Sequence, residues 1–359
     1  MAEILLANRE LFFLLFFFGA LILSFLLYPL IQRLSVFFGV LDEPNLDRKI
    51  HPGPIPSMGG FLIYLTFLSG LVILALLGGS DEISGVKGAG ILLGGAVLIV
   101  GGVLDTKYNL PPSRQIIFTS LAALIVVLSG SHISYITNPL GGEIILDRLK
   151  VAGFPVLGSL VVFAWMLGMT YTTKFLDGMD GLATGIAGIA GIIIFALSLS
   201  PDVNQTTTAF LALIFAGASF GFLRFNWHPA KMFLGEGGST FIGFMIGALA
   251  VISGAKIATA LLVLGIPVLD AAWVILQRLL GKRSPFVGDN RHLHFRLLDV
   301  GMSQRQAVLF LWLLASIFGS TAVFLHSSGK LFALGALFLV MVAVVLVIAW
   351  FFKKTKDEG

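Results

Sequence analysis

The sequence predicts an all-α fold: a single domain, residues 1–359, threaded through a membrane about eleven times. Three observations carry this. Hydrophobic residues make up 57% of the chain and charged residues only 12%, against roughly 25% charged in a soluble domain. The apolar residues are gathered into runs close to the ~20 residues that a helix needs to cross the hydrocarbon core. Glycine and phenylalanine are abundant, at 42 and 32 residues, and glycine is more frequent in membrane helices than in soluble ones.

In chain order the runs fall at 11–33, 58–78, 87–104, 114–130, 154–172, 181–199, 208–224, 238–253, 257–279, 305–325 and 330–352. The count becomes ten if 238–279 is divided differently. The run 11–33 reads as a first span rather than a cleavable leader, because it is too long and no small-residue cleavage site follows. The longest connections are 34–57, 131–153 and 280–304, and 353–359 forms a short polar tail. No internal repeat stands out. With no cysteine, disulfides, thiolate metal sites and cysteine nucleophiles are excluded. The net charge of +4 is modest, and no basic run is dense enough to suggest nucleic acid.

Orientation follows from the Lys/Arg bias. Of the 23 such residues, all but Arg9, Lys87, Arg148, Lys150, Lys256 and Lys330 fall on the side of loop 34–57. That side is expected to be cytoplasmic, with the tail, in a multi-pass plasma-membrane (inner-membrane) protein. The same side collects five polar stretches: RKIHPGPIPSMGG (48–60), LDTKYNL (104–110), KFLDGMDG (174–181), RFNWHPAKMFLGEGGS (224–239) and SPFVGDNRHLHFRLL (284–298). Carboxylates beside membrane-length apolar runs are costly to place and mark function by default.

Each stretch also has a plain structural reading. Asp105 closes an apolar run and could be a base, a cation ligand or a solvated helix end. Asp177 and Asp180 stand three apart, each followed by glycine, which suits either a shared cation or a pair of turns. Lys49 and His51 lie in a proline-stiffened loop. Asn226, Phe233 and Glu236 precede a Gly-Gly-Ser helix start whose free N–H groups suit a phosphate; glycine turns also join helices everywhere. Arg291, His292 and His294 could hold a pyrophosphate by charge-assisted hydrogen bonds, or simply obey the charge bias. Together, acids, cations and glycine-rich backbone on one membrane face suit phosphoryl transfer between a soluble nucleotide and a lipid, chemistry that relies on positioning and charge neutralisation.

These motifs, in this order from HPGPIPSMGG to HLHFRL, resemble the polyprenyl-phosphate N-acetylhexosamine-1-phosphate transferase superfamily (glycosyltransferase family 4). The resemblance implies a multi-helix enzyme that moves a sugar-1-phosphate, such as GlcNAc-1-phosphate, from a UDP-sugar to undecaprenyl phosphate, releasing UMP, using Mg²⁺ or Mn²⁺. It implies that Asp105 acts on the lipid phosphate, with Asp177 and Asp180 as further catalytic acids and Asp177 and Glu236 as metal ligands. It places Asn226 and Phe233 at the uridine and Lys174, Arg291, His292 and His294 near the phosphates, with Lys49 and His51 as further substrate-binding candidates. A homodimer is compatible with it.

Three positions depart from the family pattern: Thr106 replaces an acid, Lys174 an asparagine and Glu236 an aspartate. Thr106 and Lys174 remove negative charge and add positive, so that Lys174 could take over part of a cation's role. HLHFRL, lacking a triple-histidine run, favours an N-acetylhexosamine substrate over a phospho-MurNAc-pentapeptide one. Two other classes stay open: a lipid-linked transporter, which would carry midplane charges in broken helices, and a non-catalytic relative that binds nucleotide-sugar or lipid.

Overall fold

The computed structural model describes residues 8–44, 53–77, 85–137, 142–151, 153–201, 203–253, 257–281, 292–325 and 327–357. Lys49, His51 and Arg291 lie outside these residues. The expected runs all become helices, and the helix pattern is α1 (Arg9–Phe37), α2 (Gly59–Leu76), α3 (Val86–Tyr108), α4 (Pro112–Leu128), α5 (Val156–Leu176), α6 (Leu182–Ser198), α7 (Thr206–Asn226), α8 (Gly235–Ile252), α9 (Ile257–Val263), α10 (Gly265–Leu280), α11 (Leu293–Asp299), α12 (Gln304–Phe324) and α13 (Ser327–Asp357). Among the described residues eight helices are long and apolar enough to cross a membrane. Helices α4 and α6 are shorter, and the run expected at 257–279 is broken into α9 and α10, bent by 82°. The break falls at Leu264-Gly265, with Pro267 just beyond, where a missing Cβ and a missing N–H weaken helix continuity.

The departure from an all-helical pattern is small. Six short strands form three two-stranded antiparallel pairs: β1 (Leu41–Asp42) with β2 (Ile55–Pro56), β3 (Tyr135–Thr137) with β4 (Glu143–Ile145), and β5 (Lys150–Val151) with β6 (Phe154–Pro155). They lie in the two longest described connections, where backbone groups without a helix must pair with each other.

Helices α7 and α8 form the centre. Phe210, Phe215, Phe222, Phe241 and Phe244 on them are among the most fully buried large side chains. Helices α1 and α6 pack on α7, and α3 and α5 on α8. The outer faces of α1 and α13 expose Leu14, Phe18, Phe25, Phe332 and Leu339, as suits surfaces solvated by lipid chains.

Four glycines set how deeply the start of α8 sinks into the bundle. A Cβ on Gly102 of α3 would collide with the backbone of Gly237, and one on Gly60 of α2 with that of Gly238. The Gly-Gly of the GEGGS stretch is therefore spent on backbone-to-backbone contact with two neighbouring helices, the use of small residues expected in membrane bundles. Above this crossing, Phe233 N–H donates to Pro56 O at 2.9 Å, and Gly59 and Gly60 donate to Phe233 O and Leu234 O at 3.0 and 2.9 Å. These bonds tie the 53–60 stretch to the segment that leads into Glu236.

Gly102→Val is expected to displace α8 and lower thermal stability in detergent by about 1–3 kcal/mol, the usual cost of overpacking. An unchanged unfolding midpoint would contradict the contact.

Candidate active site

Three helix ends meet at the polar end of the bundle: the last turn of α3, the last turn of α5 and the first turn of α8. They bring Asp105, Lys174 and Glu236 together. Lys174 Nζ stands 2.7 Å from Glu236 Oε2 and 4.0 Å from Asp105 Oδ2, and donates to Gln115 Oε1 at 2.6 Å. A cation at the C-terminal end of α5 and an anion at the N-terminal end of α8 each also suit their own helix dipole. Gln115, from α4, uses both ends of its amide. Its Nε2 donates to Asp105 Oδ1 at 3.1 Å and to Leu110 O at 2.8 Å, while Leu110 N–H donates to Asp105 Oδ1 at 2.9 Å. Asp105 is thus buried, with one oxygen fixed by two donors and the other turned toward the ammonium. A small, partly open pocket lies beside this cluster, lined in part by Asp105, Gln115, Tyr171, Lys174 and Glu236.

One turn beyond Lys174 the chain leaves α5 into the DGMDG loop. Asp177 is half-buried there. Burial, with Glu236 and Asp180 adding to it, pushes its carboxyl up to about 8. Asp180 turns away from that group. Its Oδ2 accepts from Ala230 N–H at 3.1 Å and lies 2.8 Å from His228 Nδ1. Gly181, at φ +78, starts α6, and its N–H donates to Asn226 Oδ1 at 3.1 Å. The same oxygen accepts from Thr184 Oγ1 at 2.7 Å, and Asn226 Nδ2 donates to Met232 O at 3.1 Å. Asn226 is 3% exposed; its polar atoms fasten the DGMDG loop to the turn after α7. Phe233 is half-buried beside that turn.

The histidine stretch reaches the same loop from the other side. A Cβ on Gly178 would strike the His294 ring, so only glycine lets the two approach. The rings of His292 and His294 stack, 5.7 Å apart, and His292 stacks on Phe175 at the same distance. His292 Nδ1 is 2.8 Å from Asp270 Oδ2, and Leu293 N–H donates to Asp270 Oδ1 at 2.9 Å. Asp270 therefore reaches out of the bent α10 to orient His292 and to satisfy the first N–H of α11. His294 is buried, and Nε2 of its ring finds no hydrogen-bond partner among the described residues. Burial, reinforced by His292 and opposed by Asp270, lowers it to about 4, so it is neutral near pH 7.

Of the residues picked out from sequence, the fold brings Asp105, Lys174 and Glu236 into one cluster and sets Asp177, Asp180, Asn226, His292 and His294 around the adjoining loop. Gln115 and Asp270 were not anticipated. Asp270 had a signal, an acid inside an apolar run; Gln115 had none. As arranged, Glu236 is paired with an ammonium where a divalent ion would need it. Among the described residues no three acid or histidine side chains lie close enough to share one. Glu236 faces an ammonium, and Asp180 is taken up by His228 and Ala230.

The profile of glycosyl transferase family 4 matches residues 88–254, a span that holds Asp105, Lys174, Asp177 and Glu236. A Bacillus subtilis (strain 168) protein described as a probable undecaprenyl-phosphate N-acetylglucosaminyl 1-phosphate transferase is 27% identical, over 92% of this chain and 90% of its own. A decaprenyl-phosphate N-acetylglucosaminephosphotransferase of Mycolicibacterium smegmatis is 30% identical, over 91% of this chain and 86% of its own. A phospho-N-acetylmuramoyl-pentapeptide-transferase of Shouchella clausii is 29% identical, over 86% and 94%.

Asp270→Ala is expected to leave two buried donors unpaired, at about 1–3 kcal/mol each, and to strip hydrogen-exchange protection from 293–299. Full protection in the variant would contradict the anchoring role. The His294 ring resonances should stay fixed from pH 8 down to pH 5 and shift only as pH falls toward 4; a midpoint near 6.5 would contradict its burial.

Proposed function

The chain belongs to glycosyl transferase family 4, and on that premise we propose that this multi-pass membrane enzyme, a phosphoglycosyltransferase, transfers N-acetylglucosamine-1-phosphate from a UDP-sugar to a polyprenyl phosphate. The single observation that supports this most is the meeting of Asp105, Lys174 and Glu236 beside a pocket at one end of the bundle. That end carries most of the Lys and Arg residues, which makes it the cytoplasmic face by the charge bias, the face where a soluble nucleotide-sugar is met.

In this reading a lipid-phosphate oxygen attacks the β-phosphorus of the UDP-sugar. The bond from that phosphorus to the bridging oxygen breaks, UMP leaves with that oxygen, and the product is a polyprenyl pyrophosphoryl sugar. Asp105, with one oxygen pinned by Gln115 and Leu110, holds or accepts the proton of the lipid phosphate. Lys174 offsets charge that develops on the pyrophosphate. Asp177, protonated below about 8, adds a carboxyl O–H donor for a phosphate oxygen. Asp180 and Asn226 keep the loop in register, and Asp270 holds the His292 ring in place beside it. No step is routed through a metal ion, since the Lys174 ammonium stands against Glu236, the acid such an ion would need.

Purified protein given undecaprenyl phosphate and UDP-GlcNAc is expected to release UMP only when the lipid is present. Asp105→Asn should lower that rate roughly 10²–10⁴-fold with helix content intact. Turnover with UDP-MurNAc-pentapeptide and none with UDP-GlcNAc would reassign the sugar. Wild-type turnover by Asp105→Asn would overturn its role.

A further inference from the structure

We infer that the ammonium of Lys174 is the resident cation of the site, built into the chain in the place where two carboxylates would otherwise need a divalent ion. This deepens the transferase reading and rests on it for the identity of the anion.

An ammonium has three N–H donors and no acceptor. One is directed to Gln115 Oε1 at 2.6 Å and one faces Glu236 Oε2 at 2.7 Å. The Glu236 contact is charge to charge rather than an aligned hydrogen bond. Asp105 Oδ2, at 4.0 Å, attracts the charge but is beyond hydrogen-bond reach. The third donor therefore has no hydrogen-bond partner among the described residues, while its group lines the small, partly open pocket beside the cluster. The Lys174 side chain is 18% exposed, so this donor is held in surroundings where charge is weakly screened. Its complement is an anionic oxygen of the size and charge found on a phosphate.

The same geometry works against a second cation. An ion held by Glu236, whether shared with Asp177 or with Asp105, would have to sit beside the ammonium 2.7 Å from Glu236 Oε2 or expel it. Beside it, like charges a few ångströms apart repel strongly in a low dielectric. Expulsion would break the Gln115 bond and the Glu236 pair together. Gln115 further favours the lysine, because its amide fixes Asp105 with one end and the ammonium with the other. Lys174 and Glu236 are 62 positions apart in sequence, yet their charges match across the meeting of α5 and α8. Two departures from the family pattern thus read as one paired change.

The test is Mn²⁺ binding, followed by the EPR signal of the free ion, on purified full-length protein in detergent. Wild type and Lys174→Arg, which keeps the charge, are expected to bind Mn²⁺ weakly. Lys174→Asn should bind it at least about 10-fold more tightly. In parallel, UMP release by wild type should survive EDTA, while that of Lys174→Asn should require added metal. Tight Mn²⁺ binding by wild type would overturn the proposal, whether or not the variant folds. So would equal affinity in wild type and Lys174→Asn. The binding measurement needs no transfer reaction, so loss of this inference and loss of the functional reading are told apart.

Discussion

The site depends on one constraint: charged groups at helix ends, beside a membrane, must find partners within the protein. Lys174 meets that constraint for two acids at once, at 2.7 Å from Glu236 and 4.0 Å from Asp105. Removing it would leave two carboxylates facing each other across a pocket that water screens only in part. Breaking a fully buried pair costs about 3–5 kcal/mol; with the Glu236 side chain 43% exposed, this pair falls nearer the ~1 kcal/mol of a surface pair. The pair is thus worth more to the geometry of the site than to stability. It fixes where α5 ends relative to where α8 begins, and it leaves one N–H aimed at open space.

Packing makes that meeting possible. The glycine contacts of α8 with α2 and α3 let the first turn of α8 sink between them, which is what carries Glu236 to Lys174. On the far side of the DGMDG loop the absent side chain of Gly178 admits His294, and Asp270 holds the neighbouring His292. The loop itself is pinned by Asp180 and Asn226. Acids that resemble one another in sequence therefore do different work. Asp105 faces a cation, Asp180 is a fastener, Asp270 is an orienter, and Asp177 is pushed up to about 8 by burial and its acidic neighbours.

Much of this was legible in the sequence. Apolar runs long enough to span give the helices, because length and hydropathy are local properties. The gathering of the polar stretches on one side followed from counting spans, and it placed Asp105, Asp177, Glu236 and the histidines near a common end. The partners were not legible. Nothing local ties Lys174 to Glu236 or Gln115 to Asp105, since those contacts arise only when α3, α4, α5 and α8 pack. The helix crossing made by the glycines of GEGGS was not legible, because a turn and a tight crossing use the same residue for the same reason, a missing Cβ. The break between α9 and α10 was hidden inside an apolar run of ordinary length, and with it the reach of Asp270 toward His292.

The most direct test of the account is a cryo-EM structure of the protein in lipid nanodiscs with a bound UDP-sugar and millimolar Mg²⁺. The account predicts density for the Lys174 ammonium between Glu236 and Asp105, with a phosphate oxygen within hydrogen-bond distance of it. A divalent ion bound by Asp177 and Glu236, with Lys174 swung out of the pocket, would contradict it.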